Sequence, residues 1–464
     1  MRTTHTLLGV VIWFSLVTLA CTLSSTGEET PIVVVPPATP TAQPPISYST
    51  PLPGTQDAQV NSSQQQQRIE VEMFNLLNQV QTDRLFSHVA TLVDFHTRHV
   101  NSPTNQIDYG IGGAANYILE QFEAIRAQSP TNFTVFEQPF EMEYNGVRSV
   151  QRNIVGYIQG TDTGAGVIVV GAHYDSRTLD LTDASSYAPG AVDNASGVAA
   201  VIEIARIMSQ RPRRASIMFV LFAAEEVGAI GSKRFIEGYL QNFNIQDVMM
   251  INIDTVGSYN APDGTINDRD IRLFSSPGVP RNQSPARQLA RSIHFIAFNH
   301  QLDLNVMMQD AIDREGRFGD HNSFDDAGYP AVRFIEALED TSKREGADTL
   351  DGVEASYLAS ATRTILGVIE ALAAGPPPPR NLTLRDLGDG TSTLVWEPSP
   401  DAARYVVGLR SSNSLIYDRP FTVVENTSGA WENFNWQQFE AIAVAAVDAN
   451  GVIGRFSQEI LVPK

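Results

Sequence analysis

The stretch Val167–Asp175 (Val-Ile-Val-Val-Gly-Ala-His-Tyr-Asp) joins an apolar run to two ionisable side chains. Successive apolar residues indicate a strand buried on both faces, as in a sheet covered by helices. Residues two apart on an extended chain point to the same side, so Asp175 can orient the imidazole of His173. The other ring nitrogen of His173 is then available for a metal. Alone this pattern is weak, because a histidine at a strand end is more often structural.

Similar apolar runs alternate with helical periodicity along most of the chain. The sequence therefore predicts an α/β fold with a mixed, mostly parallel central sheet flanked by helices. The predicted strands are Phe133–Phe140, Asn153–Tyr157, Val167–Val170, Ser216–Phe222, Val248–Ile253, Ile271–Phe274, Asn305–Met308 and Ala331–Ile335, and the predicted helices are Arg68–His99, Gly113–Ala127, Gly197–Met208, Ser232–Tyr239, Pro285–Phe298 and Ser356–Ala373.

Four more acids and a second histidine follow predicted strands or turns. Asp193 lies in a Gly-flanked turn before a helix. An acid at this position is alternatively a helix cap with no role in metal binding. Glu225 and Glu226 end a buried strand. Burying adjacent carboxylates is costly unless they bind a cation, although a solvated loop would also accommodate them. Asp254 closes another apolar strand, and His321 precedes the last one.

The set is more informative than its members, because α/β sheets place their sites at strand ends. Two imidazoles and three carboxylates suit zinc, which binds nitrogen and oxygen ligands. If one carboxylate bridges, five ligands give each of two Zn²⁺ ions per chain three protein contacts. Glu225 is then left over as a base. The candidate ligands are His173, Asp193, Glu226, Asp254 and His321.

Five motifs together carry a resemblance to a known family. Residues from about 85 to 373 resemble the aminopeptidase Y type of zinc exopeptidases, which includes the secreted bacterial leucyl aminopeptidases. Glutaminyl cyclases and the transferrin-receptor ectodomain are relatives. The ligands occur in family order, 20, 33, 28 and 67 residues apart. The motifs are Gly171–Ser176, Gly190–Gly197, Ala224–Ser232, Asn252–Gly257 and Asp320–Phe324.

The resemblance assigns a role to each residue. Asp193 would bridge two zinc ions, one held also by His173 and Asp254, and the other by Glu226 and His321. Glu225 would be the general base, and Asp175 would orient His173. The family also tends to have a cis peptide after the bridging aspartate, here Asp193-Asn194. Many relatives carry a His-Thr pair before an Asp-Thr, whereas Arg344–Ala347 precede Asp348-Thr349 here, which affects the expected substrate pocket.

The expected activity is removal of amino-terminal residues from peptides or proteins with a free amino terminus. Two alternatives stay open: an amino-terminal glutaminyl cyclase with one zinc, and a non-catalytic binding ectodomain on the same scaffold. Carboxypeptidase-like enzymes with an inserted lid are disfavoured, because only 67 residues separate Asp254 from His321.

The composition restricts the partners. With 32 basic and 52 acidic residues the formal net charge is −20, which disfavours nucleic-acid binding. The single cysteine, Cys21, excludes an internal disulfide framework. The sequence does not predict the oligomeric state.

The amino terminus predicts export. Residues 1–21 read as a signal peptide, and Val17–Cys21 resembles a lipoprotein cleavage site, so a lipid anchor at Cys21 is the expected membrane contact. An ordinary cleaved signal or a short uncleaved anchor would also place the protein outside the cytoplasm, at the cell-envelope surface or in the medium. Residues 22–66, rich in Thr, Ser, Pro and Gln, predict a disordered tether before a peptidase domain at 67–375.

The prolines after Gly375 break the last helix and introduce a small all-β sandwich at 376–464. This segment resembles a fibronectin type III domain, although Glu440 stands where a tyrosine usually anchors that fold. A stabilising spacer is the preferred role, with adhesion as the alternative. The predicted strands are Asn381–Leu384, Ser392–Trp396, Tyr405–Leu409, Phe421–Val424, Ala441–Val447 and Glu459–Val462.

Overall fold

The computed structural model describes residues 71–278, 282–310, 319–340, 345–386, 388, 392–418, 422–424, 430–434 and 436–463. The predicted signal peptide at 1–21, the tether at 22–66 and Arg344 lie outside the described residues. The statements about them remain predictions.

The central sheet contains the eight strands β1 (Phe133–Tyr144), β2 (Val147–Ile158), β3 (Val167–His173), β4 (Ser216–Phe222), β5 (Val248–Ile253), β6 (Asp270–Ser275), β7 (Asn305–Met308) and β8 (Ala331–Glu336). Their order is β1-β2-β4-β3-β5-β8-β6-β7. Strands β4, β3, β5 and β8 are parallel to their neighbours in this group. Strands β2 and β6 pair antiparallel at its two sides. The predicted mixed, mostly parallel sheet is confirmed, and its four central strands end at one edge.

Helices cover both faces of this sheet. The two sides of β3 show the division: Ile168 and Val170 pack in one apolar core, and Val169 packs in the other. Besides a helical segment at residues 71–77, the helices are α1 (Thr82–Asp94), α2 (Gly110–Gln128), α3 (Ser196–Met208), α4 (Ile230–Phe235), α5 (Pro285–Asn299), α6 (Asp320–Asp326) and α7 (Ala355–Ala374). The first core includes residues of α1, α2, α3, α5 and α7, and the second includes residues of α4 and α6.

Helix α7 has the length and apolar composition of a membrane span, the one such helix among the described residues. Its apolar window is 83% buried inside the protein, as expected for a core helix. It packs beside α3 at the centre of the first core, so burial within the fold accounts for its composition.

The carboxyl-terminal segment contains the strands β9 (Arg380–Asp386), β10 (Ser392–Glu397), β11 (Ala402–Arg410), β12 (Thr422–Val424), β13 (Ala430–Phe434), β14 (Ala441–Asp448), β15 (Ile453–Phe456) and β16 (Ile460–Leu461). They form two antiparallel sheets, β13-β10-β9 and β12-β11-β14-β15, with β16 paired to β14. Trp396 from the first sheet and Tyr405 from the second share one apolar core, so the predicted β-sandwich is confirmed. Its similarity to fibronectin type III stays a prediction.

The sandwich packs directly on helix α5. The ring of Phe295 lies 5.0 Å from that of Phe456, and the Gln288 amide donates to the Tyr417 hydroxyl at 2.7 Å. The Arg291 guanidinium donates to the carbonyl of Leu415 at 2.8 Å. This buried, hydrogen-bonded interface agrees with a stabilising role for the module.

Candidate metal centre

Three strands deliver the predicted site to one edge of the sheet. His173 ends β3, Glu225 and Glu226 follow β4, and Asp254 follows β5. Because β4 and β5 are the parallel neighbours of β3, these side chains emerge together. His321 is the second residue of α6 and therefore lies in its first turn.

Three predicted ligands form a compact group. Nε2 of His173 lies 3.2 Å from Oδ1 of Asp193 and 3.5 Å from Oδ1 of Asp254. Oε2 of Glu225 lies 3.9 Å from the same nitrogen. Ligands of a tetrahedral zinc ion stand ~3.3–3.6 Å apart, so the donor types and the spacing of the first three fit zinc.

The other two predicted ligands, Glu226 and His321, are not members of this compact group. Among the described residues, the set with donor atoms within 4.8 Å of one another contains His173, Asp193 and Asp254, but neither Glu226 nor His321. The carboxylate of Glu226 is 3.1 Å from Nε of Arg177. Glu226 and His321 as ligands of a second ion therefore remain a prediction.

Buried carboxylates outnumber the single imidazole in this group. Burial lowers the pKa of His173, but Glu225 and the carboxylates of Asp175, Asp193 and Asp254 raise it well above its usual value. Burial is the main cause that raises the pKa of Glu225 and of Glu226, and their proximity to other acids raises it further. Crowded buried acids of this kind are relieved by a bound cation.

The turn Ala191–Ala195 presents Asp193 to the centre. Its Asp193-Asn194 peptide is cis, as the resemblance predicts. The Asn194 side chain donates to the carbonyl of Ile253 at 2.9 Å and accepts from the amide of Thr255 at 3.0 Å. The turn is thereby attached to the strand end that carries Asp254.

Asp175 has a broader role than the sequence predicts. Nδ1 of His173 lies 3.2 Å from the Asp175 carbonyl oxygen and 3.7 Å from its Oδ1. The carboxylate accepts hydrogen bonds at 3.0 Å from the amides of Glu225 and Glu226. Asp175 therefore connects the histidine strand with the segment that carries both glutamates.

Three buried residues near the centre are absent from the sequence-based site. Nε of Arg333 lies 2.9 Å from Oδ2 of Asp254. The Asp348 carboxylate accepts hydrogen bonds from the backbone amides of Val192 and Asp193. The Arg98 guanidinium donates to the backbone carbonyls of Tyr174 and Gly190. An Asp-Thr motif gives a signal for Asp348, but no local pattern marks Arg98 or Arg333.

The fold and the centre define a metal-dependent hydrolase of the α/β class. Residues 153–369 match peptidase family M28. A probable zinc metalloprotease of Pyrenophora tritici-repentis is 31% identical over 359 residues, 70% of this chain and 82% of that protein. Another from Leptosphaeria maculans is 30% identical over 76% of this chain and 89% of its own. The chain belongs to peptidase family M28 and is a metallopeptidase.

A solved structure agrees with this fold. The LapA aminopeptidase of Legionella pneumophila aligns with a TM-score of 0.51 at 21% identity, over 66% of this chain and 75% of that chain. At this identity the likeness concerns the fold alone.

Proposed function

We propose that the protein is an exported aminopeptidase that uses two Zn²⁺ ions, with Glu225 as general base. The main support is the group of His173, Asp193 and Asp254 with the Glu225 carboxylate directly beside it. Peptides and proteins with a free amino terminus would be the substrates.

The donors divide between two ions. His173, Asp193 and Asp254 would hold one, and Asp193, Glu226 and His321 would hold the other. When bound, zinc polarises a carbonyl and acidifies water. Two carboxylates and one imidazole on the first ion leave room for a non-protein ligand, as catalytic zinc sites require.

Glu225 can move the proton that hydrolysis requires. Its carboxylate accepts a proton from the attacking water while the water oxygen bonds to the peptide carbon. The carbon–nitrogen bond then breaks, and Glu225 returns the proton to the departing amine. Burial raises the pKa of Glu225, which makes this carboxylate a stronger base than an exposed one.

An acidic cavity supports the proposal that the substrate has a free amino terminus. It has a volume of about 30 Å³, enough for one small polar group. Its lining includes Asp193, Asp348, Glu336, Glu339 and Asp340. Carboxylates around so small a space favour an ammonium group, and the cavity borders the proposed bridging ligand.

The metal content provides the first test. Protein lacking residues 1–21 should contain two zinc equivalents by elemental analysis and should release the reporter from a leucine amide. The matched N-acetylated substrate should not be cleaved. One zinc with cyclisation of a Gln-led peptide would instead support the cyclase, and absence of both metal and turnover would support a binding ectodomain.

The base has its own test. Glu225→Gln should retain both zinc ions and lose turnover by ~10²–10⁴-fold, because the amide cannot accept the proton. The exposed Glu237→Gln is the matched control. Unchanged turnover in Glu225→Gln would refute the assignment of the base.

Export is proposed from the sequence of residues 1–21. The full chain should be found in the membrane fraction of the cell envelope, and Cys21→Ser should shift it into the soluble or secreted fraction if Cys21 carries lipid. An unchanged distribution would contradict the lipid anchor.

A further inference from the structure

Arg98 is a fully buried cation whose donors reach three separate segments. Its Nε donates to the carbonyl of Tyr174 at 2.7 Å, and Nη2 donates to that of Gly190 at 2.9 Å. Nη1 donates to the carbonyls of Leu92, at 3.2 Å, and Pro189. A single guanidinium thereby uses all of its nitrogens on backbone acceptors.

The acceptors other than Leu92 belong to the segments that carry the predicted ligands His173 and Asp193. Tyr174 lies between His173 and Asp175, and Gly190 lies three residues before Asp193. The relative position of His173 and Asp193 is therefore fixed through Arg98, which has four acceptors around it.

Asp348 holds the same turn from its other end. Its Oδ1 accepts from the amide of Val192 at 2.9 Å, and its Oδ2 accepts from the amide of Asp193 at 2.8 Å. Its carbonyl accepts from the amide of Ala191 at 3.0 Å. Three consecutive amides before the cis peptide are thus attached to one buried residue.

The space around Gly190 has no room for a side chain. Gly190 has φ +50°, and a Cβ there would lie 2.7 Å from Nη2 of Arg98 and 2.6 Å from the carbonyl oxygen of Asp193. Burial lowers the pKa of Arg98 to about 10, with Asp348 the largest opposing influence, so the guanidinium stays charged at neutral pH. The turn consequently has little freedom to move.

We propose that Arg98 and Asp348 are positioning residues of the metal centre, which set its zinc affinity by fixing Asp193 relative to His173. The proposal rests on the proposed zinc-dependent function. Arg98 precedes residues 153–369, the part that matches the family, so the amino-terminal segment contributes to the centre. Both residues would act through the backbone that carries His173 and Asp193, and not as metal ligands.

The test measures zinc affinity on metal-free protein by competition with a chelator. Arg98→Met and Asp348→Asn should each weaken zinc binding ~10–100-fold, while the circular dichroism of the folded protein stays unchanged. Arg98→Lys should recover only part of the affinity, because an ammonium cannot match the planar arrangement of the guanidinium donors.

Arg213→Met is the matched control. Arg213 is also buried and donates to Glu370 and to the carbonyl of Met208, but it lies outside the centre. This variant should lower the unfolding temperature and leave zinc affinity unchanged.

The outcomes separate the two proposals. Zinc affinity equal to wild type in Arg98→Met and Asp348→Asn would overturn the positioning role, and a fall only in unfolding temperature would make both residues structural. If Arg98→Met does not fold, Asp348→Asn and Arg98→Lys decide in the same way. Failure of the wild-type protein to bind zinc would instead refute the proposed function.

Discussion

Oδ1 of Asp175 accepts a hydrogen bond at 3.0 Å from the backbone amide of Glu225, although 50 residues separate the two. Oδ2 of the same carboxylate accepts from the amide of Glu226, also at 3.0 Å. The aspartate expected to orient a histidine therefore also fixes the backbone of the two glutamates. Its removal should disturb the proposed base, Glu225, and the proposed ligand, Glu226, together.

The first prediction is that Asp175→Asn weakens zinc binding by ~10–100-fold and lowers kcat. An asparagine has one acceptor oxygen, so its NH₂ group would face one of the two amide donors. Zinc affinity by chelator competition and kcat on a leucine amide are the measurements. Asp180→Asn, an exposed carboxylate that accepts from the amide of Thr182, is the control. Wild-type values for both quantities would contradict the prediction.

The second prediction concerns Arg177. Its guanidinium Nε lies 3.1 Å from Oε2 of Glu226, so a positive charge opposes cation binding at this carboxylate. Arg177→Met should tighten zinc binding by about tenfold, which is roughly 1.4 kcal/mol. A calorimetric zinc titration measures the change. The exposed Arg234→Met should leave the titration unchanged, and weaker binding in Arg177→Met would show that Glu226 needs its arginine.

The sequence predicts the fold well where burial is continuous. Strands β3, β4 and β5 are confirmed. They could be predicted because an uninterrupted apolar run in an α/β protein is typical of a strand buried on both faces. Prediction is poorer where the signal is short. Helix α6 has seven residues, four of them Asp or Asn, and its one large apolar residue is Phe324. The helical periodicity expected from Arg68 to His99 is confirmed in part, because residues 71–77 and α1 are helical but turns interrupt the helix after residue 77 and after Asp94.

The residues of the site likewise divide into those that local sequence motifs predict and those that they do not. His173, Asp193 and Asp254 could be predicted because each lies in a local motif at a strand end or turn. Arg98 could not be predicted, since its acceptors Tyr174 and Gly190 lie 76 and 92 residues away in the sequence. Such contacts depend on the completed packing, and a single sequence carries no local pattern for them.

The third prediction tests the carboxyl-terminal module. The ring of Phe456 lies 5.0 Å from that of Phe295 in α5 and 4.7 Å from that of Tyr417. Phe456→Ala should lower the free energy of unfolding by ~3–5 kcal/mol because it leaves a cavity in a buried interface. Denaturant unfolding measures the loss, and kcat of the folded enzyme should not change. The exposed Phe243→Ala should cost less than ~0.5 kcal/mol. Loss of kcat with unchanged stability would contradict a stabilising role.

The fourth prediction is acid destabilisation through His88. This side chain is 5% exposed, its Nδ1 lies 2.7 Å from the Tyr117 hydroxyl, and burial, followed by the charge of Arg84, lowers its pKa to about 4.

The unfolded chain, with a histidine pKa of 6.5, binds more protons than the folded one between pH 4 and 6.5. The stabilising contribution of neutral His88 is therefore complete above pH 6.5 and is lost as pH falls towards 4. The difference amounts to ~3 kcal/mol. His88→Gln should flatten the plot of unfolding free energy against pH in this window, and a constant packing cost cancels because slopes are compared. Parallel plots for wild type and variant would show that His88 does not cause the acid sensitivity.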